Sequence, residues 1–214
     1  MTTIKIVKLD GGHAFGLEGR AMATSNEPME NVTILDQYEL ATADLSPYNV
    51  LVVTDFIDQE YLFEQKHVIE NFLNEGKIVV ACTHIFRPWL PGVNLFMPKT
   101  INKHSDYEMQ VVKEDSFFKG VDMNELAYRK GVSGFYCRGY HPLTNKEAEV
   151  ILSFLDGTPI TTIDRTTTKG TIVAHSARDL LSYKTGENTT QLIAKQFMTW
   201  LEQELEMLSG GKQS

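Results

Sequence analysis

Residues Asn49 to Trp89 read NVLVVTDFIDQEYLFEQKHVIENFLNEGKIVVACTHIFRPW, and they carry the strongest secondary-structure pattern in the chain. Val50–Val53 is a continuous apolar run of β-forming residues, typical of a strand that is covered on both faces. Asp58 is a good helix N-cap and Gly76 a good C-terminal stop, and apolar residues repeat at helical spacing between them. Ile78–Ala81 is a second buried strand. The segment therefore predicts a right-handed βαβ unit with two parallel strands.

Polar residues follow both strands of this unit. Thr54–Phe56 come after the first strand, and Cys82–His84 come at the end of the second. The carboxyl ends of parallel strands share one edge of the sheet, which is where ligands bind in open α/β folds. We expect the functional residues to lie at this edge, which we call the rim.

The rest of the chain supplies further strands and a final helix. An α/β fold follows: a flavodoxin-like three-layer sandwich with a mostly parallel central sheet and a late antiparallel extension. One domain over residues 1–208 and a disordered polar tail over 209–214 are expected. The additional predicted elements are strands Ile4–Leu9, Val32–Leu35, Glu108–Val112, Ser133–Arg138, Glu149–Phe154, Pro159–Asp164 and Thr171–His175, and helix Thr189–Leu208.

Composition narrows the classes of function. Twenty Lys and Arg against 28 Asp and Glu give a net charge of −8, which disfavours a nucleic-acid or anionic-membrane partner. No apolar run approaches the roughly 20 residues that span a bilayer, and a strand follows the N-terminus almost at once, so we expect a soluble, cytoplasmic protein. Two cysteines are too few for a disulfide framework or a structural zinc site, and both are interpreted as thiols.

Two loops bear on the rim. Gly11 and Gly12 follow the first strand, with His13 after them, and they either let a ligand approach the backbone or form an ordinary turn. The segment 85–107 is long and irregular. Its aromatic residues cover the rim or pack on the domain surface. No third glycine completes a dinucleotide-binding motif and no Walker A loop is present, so no cofactor is expected.

Taken together, these patterns resemble the class I glutamine-amidotransferase-like superfamily, and within it the trehalose-utilisation, ThuA-like branch. The matching segments are Gly76–His84, Asp115–Val121 and Gly170–Trp200. The resemblance implies a nucleophile at Cys82 and a general base at His175. It also implies a polar, sugar-like ligand at the rim.

The same comparison shows three departures from the amidotransferase pattern. Val80 and His84 replace the glycines of the nucleophile elbow, and Ala177 replaces the carboxylate that orients the base. Thr54–Phe56 stand in place of a glycine-rich oxyanion loop. Because triad chemistry needs all of these parts together, glutaminase activity is not expected.

Three functions stay open from the sequence. The first is binding of a small polar, carbohydrate-derived molecule. The second is a cysteine-dependent hydrolase or amidase that uses Cys82 and His175. The third is a catalytically silent assembly or regulatory module, with homo-oligomerisation through exposed aromatic residues. A metal site from His13, His84, His141 and His175 lacks a diagnostic spacing, so none is predicted. The candidate ligand-binding residues are His84, Asp55, Arg87, Trp89 (stacking on a sugar face), Arg178, Asp179, Gly12 and His13.

Overall fold

The computed structural model describes residues 3–12, 31–129, 132–134, 136–184 and 187–210. Within these residues the strands are β1 Ile6–Asp10, β2 Val32–Asp36, β3 Val50–Val53, β4 Ile78–Cys82, β5 Met97–Pro98, β6 Met109–Val111, β7 Tyr128–Arg129, β8 Val132–Ser133, β9 Gly139–Tyr140, β10 Glu149–Phe154, β11 Pro159–Asp164 and β12 Thr171–His175. The α-helices are α1 Gln59–Glu64, α2 Lys66–Asn74, α3 Met123–Ala127 and α4 Leu192–Gly210. Short 3₁₀ helices occupy Gln37–Glu39, His104–Tyr107, Leu180–Ser182 and Thr189–Gln191.

The described residues form one large sheet with the strand order β2-β1-β3-β4-β12-β11-β10-β6. The pairings from β2 through β12 are parallel, and those from β12 through β6 are antiparallel. Helices cover both faces. The predicted α/β class, with its mostly parallel sheet and late antiparallel extension, is confirmed.

The central βαβ unit forms as predicted, with one change inside its helix. Asp58 caps α1 by accepting hydrogen bonds from the backbone N–H groups of Glu60 and Tyr61. The helical segment then breaks at Gln65, whose backbone leaves the α-helical region, so one predicted helix becomes α1 and α2. Gly76 ends the unit with φ of 78°, a conformation that favours glycine.

Strand alternation divides the core into two apolar layers. Val50, Val52, Val80 and Cys82 face the layer beneath α3 and α4, which we call the α4 face. The intervening residues of β3 and β4 face α1 and α2 on the opposite side. Both layers are almost fully buried, and each large buried side chain contributes about 1.5–3 kcal/mol to folding. The sheet is thus held from both sides. In β3 and β4 the strand residues are apolar up to Cys82, so the polar residues of the central unit come after its strands.

Three local predictions need correction. Among the described residues of the predicted strand 133–138, only Ser133 lies in a regular strand, and Cys137 forms an isolated bridge to Ala177; residue 135 lies outside the described part. Helix α3 was not predicted. The last helix continues to Gly210, two residues into the predicted tail, although its buried residues end at Leu205. In the last turn the Ser209 hydroxyl donates to the Leu205 carbonyl oxygen at 2.8 Å. Residues 211–214 lie outside the described part.

An ion pair between the exposed Arg165 and the buried Glu204 fastens α4 to the sheet. Glu204 is 1% exposed, and its carboxylate accepts hydrogen bonds from Arg165 Nε at 2.7 Å and Nη2 at 2.9 Å. The Thr171 hydroxyl donates to the same carboxylate at 2.6 Å.

In the described part of the chain, no helix has the length and apolarity needed to cross a membrane.

Candidate functional site

The rim brings together polar side chains from the ends of three adjacent parallel strands. Asp55 follows β3, His84 follows β4, and Arg178 follows β12. Asp55 and Arg178 are exposed and His84 is half-buried. The parallel register places these strand ends side by side, as the βαβ pattern predicted. We call Asp55, His84 and Arg178 the rim cluster.

The three side chains act on one another electrostatically. The pKa of the Asp55 carboxyl is raised because its neighbours remove part of its hydration. The charges of His84 and Arg178, and a hydrogen bond from the Thr83 side chain, oppose that shift. At a given pH, the Asp55 carboxyl is therefore less fully ionised than a free aspartate. It lies beside the exposed guanidinium of Arg178 and the imidazole of His84.

His84 is held in a fixed orientation by aromatic neighbours. Its ring stacks on Phe96 with centroids 3.8 Å apart and an interplanar angle of 20°, and it meets the edge of Phe86 at 6.2 Å. Partial burial lowers the pKa of His84, while Asp55 and a hydrogen bond to the Ser176 carbonyl oppose that change. The ring is therefore a neutral hydrogen-bonding group near pH 7, with one face covered.

Asp179, predicted as a ligand contact, is engaged within the protein. Lys8 donates to its carboxylate at 2.6 Å, and both side chains are mostly buried. The other carboxylate oxygen accepts from the Leu181 N–H at 2.9 Å and caps a 3₁₀ helix. Arg178 is exposed, and its charge acts on Asp55.

The loop after β4 is anchored to α1 by a single glutamine. The Gln59 side-chain amide N–H donates to the His84 carbonyl oxygen at 2.7 Å. The side-chain oxygen of Gln59 accepts from the Phe86 N–H at 2.7 Å. The Trp89 indole N–H donates to the same oxygen at 3.3 Å. These bonds fix the loop beside the rim and direct the indole inward.

Two predicted ligand contacts in this loop are thereby corrected or reassigned. Trp89 is 0% exposed and belongs to the apolar core on the α1–α2 side, so stacking on a sugar is wrong for this residue. The Arg87 guanidinium is exposed but forms an ion pair with Glu60. Phe86 is 59% exposed and lies against His84, so it supplies the aromatic surface that was predicted at Trp89.

The glycine pair after β1 has a packing role. A Cβ atom at Gly11 would lie 1.9 Å from the Phe56 carbonyl oxygen, so only glycine fits against that backbone. Phe56 itself has φ of 65°, an uncommon conformation outside glycine. Gly12 has φ of 70° and donates its N–H to Asp10 at 3.1 Å, which is turn chemistry. His13 lies outside the described residues.

Cys82 does not sit at a nucleophile elbow. It is the last residue of β4, is 0% exposed and points into the α4 face, and residues 83–96 contain no helix. Burial raises the pKa of the thiol far above its usual value, and Asp179 adds to the effect. A hydrogen bond from the Leu180 N–H acts the other way without offsetting it. The predicted catalytic role of Cys82 is corrected, because the thiol is inaccessible and protonated.

His175 is also buried, beside Cys82 in the neighbouring strand. Its Nδ1 lies 2.7 Å from the Thr161 hydroxyl and its Nε2 lies 3.3 Å from the Tyr136 hydroxyl. Burial lowers the pKa of His175 to about 3, so the ring is neutral in the physiological range. Both ring nitrogens already have partners, and the predicted role of His175 as a general base is corrected to a packing and hydrogen-bonding role.

The described histidines are not grouped as metal ligands. Within the described residues, no group of three or more His, Cys, Asp or Glu side chains is arranged to hold a metal ion. His141 instead places its two ring nitrogens against backbone carbonyl oxygens.

Comparison with known proteins supports the fold of this chain and does not assign a function to it. No protein-family model matches the sequence, and no curated protein matches it. Among solved structures, a Thermoplasma acidophilum protein named as a subunit of GMP synthase superposes with a TM-score of 0.60 at 10% identity, covering 98% of this chain and 99% of that one. A glutamine amidotransferase from Thermotoga maritima gives 0.50 at 12% identity, covering 100% and 87%. A cytoplasmic protein of Salmonella typhimurium LT2 gives 0.50 at 10% identity, covering 94% and 99%.

These structures give the chain its fold class. It shares its fold with these solved structures, which include a glutamine amidotransferase. At such low identity the likeness carries no residue role or substrate. The ThuA-like assignment stays a prediction.

Sequence reasoning missed several residues that shape the rim. Lys8 gave a usable signal, since a charged residue stands within the otherwise apolar run of β1. Gln59 gave none, because a glutamine in the first turn of a helix is ordinary. Thr83 is 3% exposed and was noted only as a strand-end residue.

Proposed function

We propose that this chain is a cytoplasmic amidotransferase-fold protein that binds a small polar, carbohydrate-derived molecule at the rim and lacks glutaminase activity. One observation carries the proposal. An acid, an imidazole and an exposed guanidinium, contributed by three strand ends, meet at the edge where open α/β sheets bind ligands.

The rim cluster suits a ligand rich in hydroxyl groups. Asp55 accepts hydrogen bonds, Arg178 donates them, and the neutral His84 ring does either according to its tautomer. The exposed ring of Phe86 adds an apolar surface next to these polar groups. A few convergent polar groups beside an aromatic wall are typical of small-molecule sites. The ThuA-like resemblance supports a sugar-like compound in particular.

The absence of glutaminase activity rests on the buried residues. Covalent catalysis needs an accessible thiolate and a base that can take its proton. Cys82 is fully buried with a raised pKa, and both nitrogens of His175 face hydroxyl groups. The proposed site therefore uses His84, two residues beyond the position of the family nucleophile.

A ligand screen tests the binding proposal. The panel contains neutral sugars, polyols, sugar acids and glutamine, and the readout is the thermal unfolding midpoint followed by calorimetry. A ligand at 100 times its Kd stabilises the protein by about 2.7 kcal/mol, which raises Tm by about 5–10 °C for a chain of this size. Release of ammonia from glutamine is measured in parallel and is expected to stay at background.

Matched variants locate the binding. Arg178→Gln and His84→Gln should each weaken a positive ligand at least tenfold, because each removes a direct contact. Lys195→Gln removes an exposed cation on α4, away from the rim, and should leave affinity unchanged. A panel with no stabilising compound, or affinity that is equal in all three variants, would overturn the proposal.

A further inference from the structure

His141 is a buried histidine that the proposed binding function does not use. It is 5% exposed and follows β9. Its Nδ1 lies 3.0 Å from the Asn94 carbonyl oxygen, and its Nε2 lies 3.1 Å from the Thr83 carbonyl oxygen. A carbonyl oxygen only accepts hydrogen bonds, so each contact is favourable only when the facing nitrogen carries a proton. A neutral imidazole satisfies one of them, and the imidazolium satisfies both.

The two carbonyl groups belong to the two sides of the rim wall. Thr83 directly precedes His84 in the chain. Asn94 lies two residues before Phe96, which stacks on His84. The His141 ring also contacts Phe96 edge-on, with centroids 5.9 Å apart and an interplanar angle of 68°. One buried ring therefore joins both segments that orient His84.

The charged and titratable groups around His141 come from three elements. His84 in the rim loop and His175 in β12 are two titratable neighbours, and a positive charge on either ring disfavours a positive charge on His141. Asp164 at the end of β11 lines a small pocket together with His141, and its carboxylate accepts hydrogen bonds from the Thr166 and Thr167 N–H groups. Burial lowers the pKa of His141, while the two carbonyl groups oppose that shift. The ring therefore changes charge on the acid side of neutrality.

We propose that His141 is a proton-dependent positioning residue for the rim. As the imidazolium it donates to both carbonyl groups and holds Phe96 against His84. When it loses a proton, one of the two contacts loses its hydrogen, and that side of the wall is released. The effect on ligand affinity rests on the proposed binding function, whereas the effect on the wall does not.

Nuclear magnetic resonance of the ligand-free protein tests the clamp directly. Histidine and phenylalanine rings are isotopically labelled and titrated from pH 4.5 to 8. We expect the His141 ring to titrate on the acid side of its ordinary range, and the Phe96 ring to shift with the same midpoint. In His141→Gln the Phe96 transition should disappear, while His67→Gln should leave it in place.

The outcomes separate the clamp from a purely structural role. A Phe96 ring that is independent of pH, or that keeps its transition in His141→Gln, would overturn the proposal. If His141→Gln does not fold, the nitrogen chemical shifts of the wild-type His141 ring test the proposal instead. A ring that stays in one neutral tautomer throughout the pH range would also contradict it. Once a ligand is known, its affinity should fall by at most tenfold per pH unit above the midpoint, as for one linked proton. A failed ligand screen leaves the titration result intact.

Discussion

Cys82 and His84 are two residues apart, yet they lie in opposite environments. Cys82 ends β4 inside the α4 face and is 0% exposed, whereas His84 stands at the rim with its ring half in water. The same contrast separates His175, which ends β12 in the core, from Arg178, which is exposed three residues later. Each strand thus contributes one buried polar residue and one residue at the rim.

The comparison shows how burial selects the chemistry. In the buried set, burial favours the neutral form of both the thiol and the imidazole, so no ion pair forms between them. At the rim, Asp55 and Arg178 are exposed to water, and their opposite charges attract each other. The two residues predicted as nucleophile and base are therefore buried in the fold, and the proposed ligand site uses exposed residues that follow them in the chain.

The largest expected difference between the two regions concerns stability. His175→Ala would leave a cavity and remove the partners of the Thr161 and Tyr136 hydroxyls, so it should destabilise the protein by about 3–5 kcal/mol. Arg178→Ala at the rim should cost less than about 1 kcal/mol. Urea denaturation at pH 7 measures both. Equal losses in the two variants would contradict the assignment of His175 to the core.

The pH dependence of stability sharpens the same contrast. The pKa of His175 is about 3 in the folded protein, below the ordinary value of about 6.5 in the unfolded chain. The unfolded chain therefore binds more protons between these values, so stability is full above pH 6.5 and declines as pH falls. Between pH 7 and pH 5 the expected loss is about 2 kcal/mol.

Two variants identify the source of this loss. His175→Gln should be less sensitive to pH over the same range, whereas His67→Gln on the surface of α2 should keep the wild-type slope. The range from pH 7 to 5 lies above the titration of most carboxylates, which separates them from the histidine effect. A flat wild-type profile would show that His175 is already accessible to protons.

The central unit was predictable because its signals are local. The apolar runs of β3 and β4, the cap at Asp58 and the stop at Gly76 each depend on a few adjacent residues. The position of the rim followed from the parallel direction of the strands. Asp55, His84 and Arg178 could therefore be assigned to one edge before the structure was known.

The buried roles could not be predicted in the same way. A strand covered on both faces has no polar alternation, so nothing in the sequence shows that Cys82 points toward α4. The partners of His175 come from residues 14 and 39 positions away, which only the tertiary fold brings together. The Trp89 indole points inward, where its N–H donates to the side-chain oxygen of Gln59, 30 residues earlier in the chain.

A smaller effect is expected at Cys82. Cys82→Ser places a hydroxyl in the apolar α4 face and should destabilise the protein by about 1–3 kcal/mol. Native Cys82 should also resist alkylation at pH 8 and react fully in urea, as should the buried Cys137. Mass spectrometry of the labelled protein measures this. Rapid native labelling of Cys82 alone would restore the thiol as a candidate nucleophile.

The smallest expected effect has the opposite sign. The raised pKa of Asp55 means that the fold disfavours its ionised form, so the carboxylate is a slight burden on stability at neutral pH. Asp55→Asn should leave stability unchanged or raise it by up to about 0.5 kcal/mol, while weakening any ligand that uses this acid. Paired denaturation and binding curves for Asp55→Asn and the surface variant Glu64→Gln measure the two effects. A clear loss of stability in Asp55→Asn would show that the Asp55 carboxylate stabilises the fold, and would contradict the expectation drawn from its raised pKa.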